Sequence, residues 1–229
     1  AYAAAVNGAK VIIAEDKPRF GGTLLTDDVN IDNLPGKDWA EKMVSELKKM
    51  PNVTLKNRSQ VFGYYDHNML VMFERVGDHL PKKSKFTPRQ RLWYIRAKEA
   101  ILSTGSIERP IVFGNNDTPG VVLSSAAKEY MKVYGVAVGR KPIVFTNNDS
   151  AYETAFEFKK NNIEPVILDT RQEHESEVIR TAKDKGMDIK FSHGVIKANG
   201  YKKVKSAIIG KLSKDKTSFE KIETIECDC

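Results

Sequence analysis

The sequence contains little cysteine and no long apolar run, and each of these observations excludes certain classes of protein. Its 229 residues include two cysteines, Cys227 and Cys229, which are too few for a disulfide framework or a four-ligand zinc site. We therefore expect a reducing compartment and a cytoplasmic protein. No stretch approaches 18 uncharged apolar residues, so no membrane partner is expected.

Sequence motifs of several enzyme classes are also absent. The four histidines are isolated from one another, without the spacing of metal ligands: His67, His79, His174 and His193. No G-x-S-x-G, P-loop or C-x-x-C pattern occurs, and the lack of C-x-x-C argues against a dithiol reductase. We expect neither a catalytic residue nor a metal site in this chain.

The charge balance is basic, with 37 lysines and arginines against 30 acids and a net charge of +7. Such a surplus can serve nucleic-acid binding. The lysines are nevertheless spread over apparent loops and hairpins without interleaved aromatic residues, as at Lys82, Lys83 and Lys85. A solvated surface is the favoured interpretation, and we expect no nucleic-acid partner.

The first half of the chain combines an α/β pattern with a β-meander. A helix end at residues 1–6 leads into the strand "KVIIAE", which we expect to be buried and which closes with Glu15. A helix is predicted over residues 38–50, with Asp38 as its cap. Strands are predicted within 53–76, and "LWYIRAKEAILSTG" predicts two more.

The second half repeats the order. Helices are predicted at residues 124–134, 150–160 and 173–185, and "KPIVFT" and "EPVILD" predict strands between them. Everything from "MDIKF" onward alternates as antiparallel strands.

The predicted fold class is therefore α/β, with two Rossmann-like units that carry antiparallel β-meanders. Residues 1–122 would form a first dinucleotide-binding unit, and residues 123–229 a second, glycine-poor unit. A helix entering a strand that ends in an acid is the second half of a βαβ nucleotide unit. The first strand and its glycine turn would precede residue 1, so we expect the chain to be truncated at both ends.

Glu15 is the first candidate ligand-binding residue. An acid at the carboxyl end of the second Rossmann strand accepts the hydroxyls of an adenosine ribose, and it repels a 2′-phosphate. This favours NAD or FAD over NADP. The alternative is a solvated strand end.

Two glycine-containing stretches complete the predicted site. Gly21 and Gly22 allow backbone amides to approach a pyrophosphate, and their neighbours Asp16 and Thr23 are included with them. Thr104 and Gly105 would end a buried strand that passes close to a dinucleotide. A flexible turn and an ordinary strand end remain the alternatives.

The second unit has no glycine where its nucleotide turn would lie. Asn147, Asn148, Asp149 and Ser150 occupy the strand-to-helix turn, where Asn and Asp tolerate left-handed geometry. Because these side chains would crowd a pyrophosphate, we interpret the second unit as a scaffold that binds no dinucleotide.

Two distinctive blocks, "IERPIVFGNNDTPGVV" at residues 107–122 and "VFTNNDSAY" at residues 144–152, together with "IECD" near the end, resemble the alpha subunit of heterotetrameric sarcosine oxidase. The resemblance covers essentially the whole chain. It implies the FAD/NAD-binding fold of disulfide reductases, with one bound NAD. Related proline dehydrogenase and opine oxidase complexes share parts of the pattern.

The resemblance also implies a reaction and partners. The parent complex would oxidise sarcosine to glycine, with hydrogen peroxide and either formaldehyde or methylenetetrahydrofolate as products. Beta, gamma and delta subunits would be partners, with FAD on the beta subunit, FMN near the interface, and tetrahydrofolate in a distal region of the full alpha subunit. Mapped onto this chain, Glu15 matches the ribose acid, Gly21 and Gly22 the pair beside the dinucleotide, and Thr104 and Gly105 the close-approach strand. A scaffold with a vestigial nucleotide site is the alternative, and the isolated fragment is expected to be inactive.

Overall fold

The computed structural model describes all 229 residues of the chain. They form two compact units, Ala1–Gly105 and Ser106–Cys229. The predicted assignment of nucleotide-binding units to residues 1–122 and 123–229 concerns ligand binding and stays a prediction. No helix in either unit combines the length and apolar character that a membrane crossing requires.

The first unit contains two helices, seven strands and two 3-10 turns. In chain order these are α1 (Tyr2–Val6), β1 (Val11–Ala14), a 3-10 turn (Gly22–Leu25), β2 (Asn30–Ile31), β3 (Leu34–Pro35), α2 (Gly36–Lys48), β4 (Val53–Lys56), β5 (Ser59–Tyr65), a 3-10 turn (Asp66–Asn68), β6 (Met69–Arg75) and β7 (Gln90–Arg96).

β1 and β4 form a parallel two-stranded sheet, with Val11 opposite Val53 and Ala14 opposite Lys56. The expectation of a buried β1 is wrong. Its residues alternate between partly buried and exposed, and Ile12 is 50% exposed. A parallel strand is buried throughout only where other elements cover both of its faces, and one face of β1 lies open to solvent.

Helix α2, predicted over residues 38–50, packs through one apolar face, with Ala40 and Leu47 buried. The predicted cap is wrong, because the helix begins at Gly36 after Pro35. Asp38 lies inside the first turn, where its negative charge complements the helix dipole.

Strands β5, β6 and β7 form the predicted antiparallel meander. In the turn between β5 and β6, His67 and Asn68 adopt left-handed geometry. The additional strand predicted after β7 is wrong, since residues 97–113 have no regular secondary structure and Ile101 is 81% exposed. The last pair of the ladder joins Met69 to Arg96, so residues beyond Arg96 have no opposing strand.

The second unit contains three helices and six strands. In chain order these are α3 (Ser124–Tyr134), β8 (Ile143–Thr146), α4 (Tyr152–Lys160), β9 (Val166–Asp169), α5 (Glu177–Asp184), β10 (Asp188–Phe191), β11 (His193–Gly200), β12 (Val204–Leu212) and β13 (Phe219–Glu226).

A parallel sheet of order β10-β9-β8 and an antiparallel sheet of order β11-β12-β13 organise this unit. The predicted antiparallel pairing of "MDIKF" is wrong, because β10 lies parallel to β9 with Ile189 opposite Ile167. Helix α5 begins at Glu177, four residues after the predicted start, with the Ser176 hydroxyl capping the N–H of Ile179. The remaining antiparallel strands are confirmed.

β9 separates the two apolar cores of the second unit. Ile167 packs with residues of the helices, including Ala127 and Phe158, whereas Leu168 packs with residues of the antiparallel sheet, including Ile209. All of these except Ala127 are at most 1% exposed. Because successive strand residues point to opposite faces, β9 serves both cores and holds its carboxyl end in a fixed position.

Candidate functional site

The carboxyl end of β1 positions Glu15. Its N–H donates to the carbonyl of Lys56 at 2.8 Å, and its carbonyl accepts the N–H of Ser59 at 2.8 Å. The side chain is partly exposed, and Oε1 accepts the N–H of Lys17 at 3.0 Å. The carboxylate therefore lies at the edge where both parallel strands end.

The electrostatic surroundings of Glu15 suit an acceptor of further hydrogen bonds. Partial burial raises the pKa of this carboxyl above its ordinary value, and the neighbouring Asp16 contributes in the same direction. The N–H of Lys17 opposes the shift without reversing it. A ligand that donates hydrogen bonds to the carboxylate would relieve part of the cost of burying its charge.

Hydrogen bonds from neighbouring strands hold the segment that follows Glu15. The carbonyl of Asp16 accepts from Arg75 Nη2 at 3.0 Å, and that of Lys17 accepts the N–H of Arg58 at 3.0 Å. The carbonyl of Pro18 accepts from Asn57 Nδ2 at 2.7 Å. The segment is fixed before it reaches the paired glycines.

The paired glycines have different surroundings. Gly21 has a φ of 133°, and a Cβ there would lie 2.9 Å from Leu25 Cδ2 and 3.3 Å from the Cβ of Ala40. Gly22 has a φ of 54°, and nothing lies within 4 Å of the corresponding position. Gly21 thus allows the turn to pack on α2, whereas Gly22 faces open space. The carbonyl of Thr23 accepts the N–H groups of Thr26 and Asp27 within the 3-10 turn.

Thr104 and Gly105 do not end a buried strand. Both are exposed and lie in the irregular segment 97–113. Gly105 has a φ of 66°, and no atom lies within 4 Å of the position that a Cβ would take, so only its backbone geometry favours glycine. Their role in ligand binding stays a prediction.

A cavity of about 480 Å³ lies beside the Glu15 segment, against α2. Its lining consists of Pro18, Arg19, Phe20, Leu25, Glu41, Val44, Ser45, Lys48, Leu55 and Asn57. None of the predicted site residues belongs to this lining. A larger cavity of about 620 Å³ is lined by the hairpin residues Gly200, Tyr201, Lys202, Lys203 and Lys205, and none of the predicted site residues lines it.

The second unit places an acid, Asp169, at the end of β9, and its carboxylate is fully engaged within the chain. Asp169 is 0% exposed. Oδ1 accepts the N–H of Arg171 at 2.9 Å and Arg171 Nε at 3.0 Å, while Oδ2 accepts Arg171 Nη2 at 2.7 Å and the hydroxyl of Tyr152 at 2.9 Å. Sequence reasoning missed this network, although an arginine two residues after a strand-ending acid could have indicated it.

Arg171 also reaches a second acid. Its Nη2 lies 2.7 Å from Asp149 Oδ1. Burial acts to raise the pKa of Asp169, but the hydrogen bonds from Arg171 outweigh it and leave that pKa below its ordinary value. Burial and the bond to Asp169 raise the pKa of Tyr152, so its hydroxyl stays protonated and donates.

Side-chain hydrogen bonds close the turn between β8 and α4. Thr146 Oγ1 accepts the N–H of Asn148 at 3.1 Å, and Asn148 Oδ1 accepts the N–H of Ser150 at 3.0 Å and its hydroxyl at 2.6 Å. Neither Asn147 nor Asn148 has a positive φ, so the expected left-handed geometry is wrong here. Side chains replace glycine in forming this turn.

The N-terminus of α3 also receives an acid of its own chain. The Glu108 carboxylate accepts the N–H groups of Ser124 at 3.2 Å and Ser125 at 2.7 Å. This satisfies two of the four N–H groups that a helix start leaves unpaired.

Comparison with curated proteins confirms the predicted resemblance, although over 72% of the chain and not over essentially all of it. No protein-family model matches the chain. The chain is 42% identical over 165 residues to the alpha subunit of sarcosine oxidase from Rhizobium meliloti (strain 1021), and 36% identical over 168 residues to that from Corynebacterium sp. (strain U-96). Each match covers 72% of this chain and 17% of the relative, so the chain spans only a small part of the length of these relatives.

Solved structures confirm the predicted fold class. The chain is similar to thioredoxin reductase from T. acidophilum, with a TM-score of 0.68, 14% identity, and coverage of 100% of this chain and 69% of that one. It is similar to L-proline dehydrogenase from P. horikoshii, with a TM-score of 0.60, 22% identity, and coverage of 96% and 36%. A flavoprotein disulfide reductase from Escherichia coli matches with a TM-score of 0.63, 15% identity, and coverage of 99% and 51%. The fold is thus the two-part α/β fold of these oxidoreductases.

Proposed function

We propose that this chain, similar over 72% of its length to sarcosine oxidase alpha subunits, is the nucleotide-binding part of an oxidoreductase subunit of that kind. The carboxylate of Glu15 would accept the ribose hydroxyls of NAD. The observation that carries this proposal is a partly exposed carboxylate, fixed at the carboxyl end of a parallel strand, whose pKa is raised.

The residues of the first unit fit an adenine dinucleotide. Ligands of open α/β sheets bind outside the carboxyl ends of the strands, where Glu15 lies. Gly22 leaves open space beside its backbone, which lets a phosphate approach the main chain. NAD, when bound, supplies a carrier for hydride. Asp16, Gly21 and Thr23 would shape the turn, and Thr104 and Gly105 would contact the dinucleotide.

The wider activity is part of the same proposal. This chain offers no acid–base pair for amine oxidation, so oxidation of sarcosine to glycine would occur on the FAD of a beta subunit. Gamma and delta subunits, FMN and tetrahydrofolate would belong to the larger assembly. The isolated chain would then be inactive.

A second candidate is a subunit of a proline or opine dehydrogenase complex, with FAD at the same carboxylate. The likeness to the proline dehydrogenase of P. horikoshii favours it. Both nucleotides present an adenosine ribose, so the strand-end acid does not distinguish them.

Titration calorimetry of the full chain tests the role of Glu15. We expect Glu15→Gln to weaken NAD binding at least about tenfold, because a hydrogen bond to a charged acceptor contributes about 1.5–3 kcal/mol. Glu175→Gln, which neutralises an exposed acid of the second unit, is the matched control and should bind like the unaltered chain. Equal affinities for both variants would refute the assignment, and tighter binding of FAD than of NAD would favour the second candidate.

A further inference from the structure

The second unit contains the elements that form a nucleotide position in α/β proteins. β8 leads through a turn into α4, and β9 ends beside β8 in the same parallel sheet. A ribose would be expected against the acid that ends β9, and a pyrophosphate at the start of α4. In this chain each of those places is taken by a side chain.

We propose that the guanidinium of Arg171 occupies the ribose position of the second unit, and that its removal would open this position to a nucleoside. This inference does not depend on the function proposed for Glu15. It makes Arg171 the residue that determines whether the second unit can bind a ligand.

The contacts of Asp169 show that Arg171 already uses the oxygens that a ribose would need. Both carboxylate oxygens accept from Arg171, at 3.0 Å from Nε and 2.7 Å from Nη2. Ribose hydroxyls would need those same two oxygens. Oδ2 also accepts the hydroxyl of Tyr152, so the carboxylate is satisfied without a ligand.

The contacts of Asp149 and Asn148 show that the start of α4 is unfavourable for a phosphate. Its carboxylate lies 2.7 Å from Arg171 Nη2, and its carbonyl accepts the N–H of Tyr152, the first residue of α4. A negative charge therefore already lies near the helix start, where it would repel a phosphate. Asn148 Oδ1 takes the N–H of Ser150, which a phosphate oxygen would otherwise use.

The exposure of the side chains shows that Arg171 lies between Asp169 and the solvent. The Asp169 side chain is fully buried, whereas that of Arg171 is 27% exposed and that of Asp149 is 41% exposed. Arg171 thus covers Asp169 from the solvent side. Truncating it would expose the carboxylate in the direction from which a ligand approaches.

Hydrogen exchange of the full chain, resolved by peptide, tests the inference with adenosine as the probe. Adenosine presents a ribose but no phosphate to meet Asp149. In the unaltered chain we expect millimolar adenosine to leave exchange at residues 146–152 and 167–173 unchanged. In Arg171→Ala we expect it to slow exchange there at least about threefold.

Two further variants control for folding and for the loss of an arginine. Arg171→Gln shortens the side chain but leaves one amide donor for Asp169, so it serves if Arg171→Ala does not fold. Arg180→Ala removes an exposed arginine of α5 and should remain insensitive to adenosine.

Protection of residues 146–152 or 167–173 in the unaltered chain would overturn the inference, because the position would already be open. Folded Arg171→Ala and Arg171→Gln variants that both ignore adenosine would overturn it as well. Exchange in the first unit is followed separately, at residues 14–25. Absence of protection there would count against the role of Glu15 and not against that of Arg171.

Discussion

Glu15 and Asp169 occupy the same place in two halves of the chain, yet their surroundings differ. Each acid directly follows or ends a parallel strand, and each accepts the N–H of the residue two positions later, Lys17 or Arg171. The guanidinium of Arg171 also donates to the Asp169 carboxylate, whereas the side chain of Glu15 stays partly exposed. Burial raises the pKa of Glu15, and the arginine lowers that of Asp169. One side chain two residues after the acid separates a candidate ligand acceptor from an internal ion pair.

Removing the arginine should produce the largest change. Arg171→Ala removes two charged hydrogen bonds from Asp169, and water at the opened carboxylate replaces them only in part, so we expect a loss of about 3 kcal/mol. Urea unfolding followed by circular dichroism measures this loss. Arg180→Ala should cost less than about 0.5 kcal/mol, as surface substitutions do. If both variants lost equal stability, the ion pair between Asp169 and Arg171 would not stabilise the second unit.

The paired glycines sharpen the comparison inside the first unit. Gly21→Ala forces a Cβ to within 2.9 Å of Leu25 in a strained conformation, so we expect a loss of about 2 kcal/mol. Gly22→Ala meets no neighbouring atom and should cost about 1 kcal/mol for its positive φ. Thermal unfolding of the two variants side by side measures the difference.

The ligand affinities of the same two variants provide a second measure. If Gly22 adjoins a phosphate, Gly22→Ala should weaken NAD binding more than its stability loss explains. An unchanged affinity would leave Gly22 as a turn residue only.

Lowering the pH should change the contributions of Asp169 and Glu15 to stability in opposite directions, and we expect this to be the smallest effect. Asp169 has a lowered pKa, so it contributes stability above its unfolded value near 3.8, and this contribution is lost as the pH falls through the folded value. Glu15 has a raised pKa, so its protonation favours the folded state as the pH falls towards 4.5. Asp169→Asn should flatten the acid-induced loss of stability, and Glu15→Gln should steepen it. The slope of unfolding free energy between pH 7 and 3 checks both, and identical slopes would contradict the assignment.

Much of the fold follows from residue patterns, because periodicity is local. The helix over residues 38–50 and the strands within residues 53–76 could be predicted from a few neighbouring residues at a time. The strand predicted at residues 100–105 is wrong because an apolar stretch does not specify a strand that can pair with it. β6 begins at Met69, and no pattern in the run itself conveys that.

The candidate site was less predictable than the fold. Glu15 could be chosen because the strand before it is visible in the sequence. The close approach of α2 to the turn at Gly21, near Ala40, and the ion pair of Arg171 with Asp149 both involve residues about 20 apart in the chain. Such contacts depend on how helices pack, which a single sequence does not show.

β9 has a consequence for how the second unit can vary. Ile167 and Leu168 are both 0% exposed and serve opposite cores. Inserting or deleting one residue in this strand would exchange the two side chains between cores and carry Asp169 to the opposite face. The strand can therefore change by substitution but not in length, and length variation between relatives should be confined to connections such as residues 201–203 and 213–218.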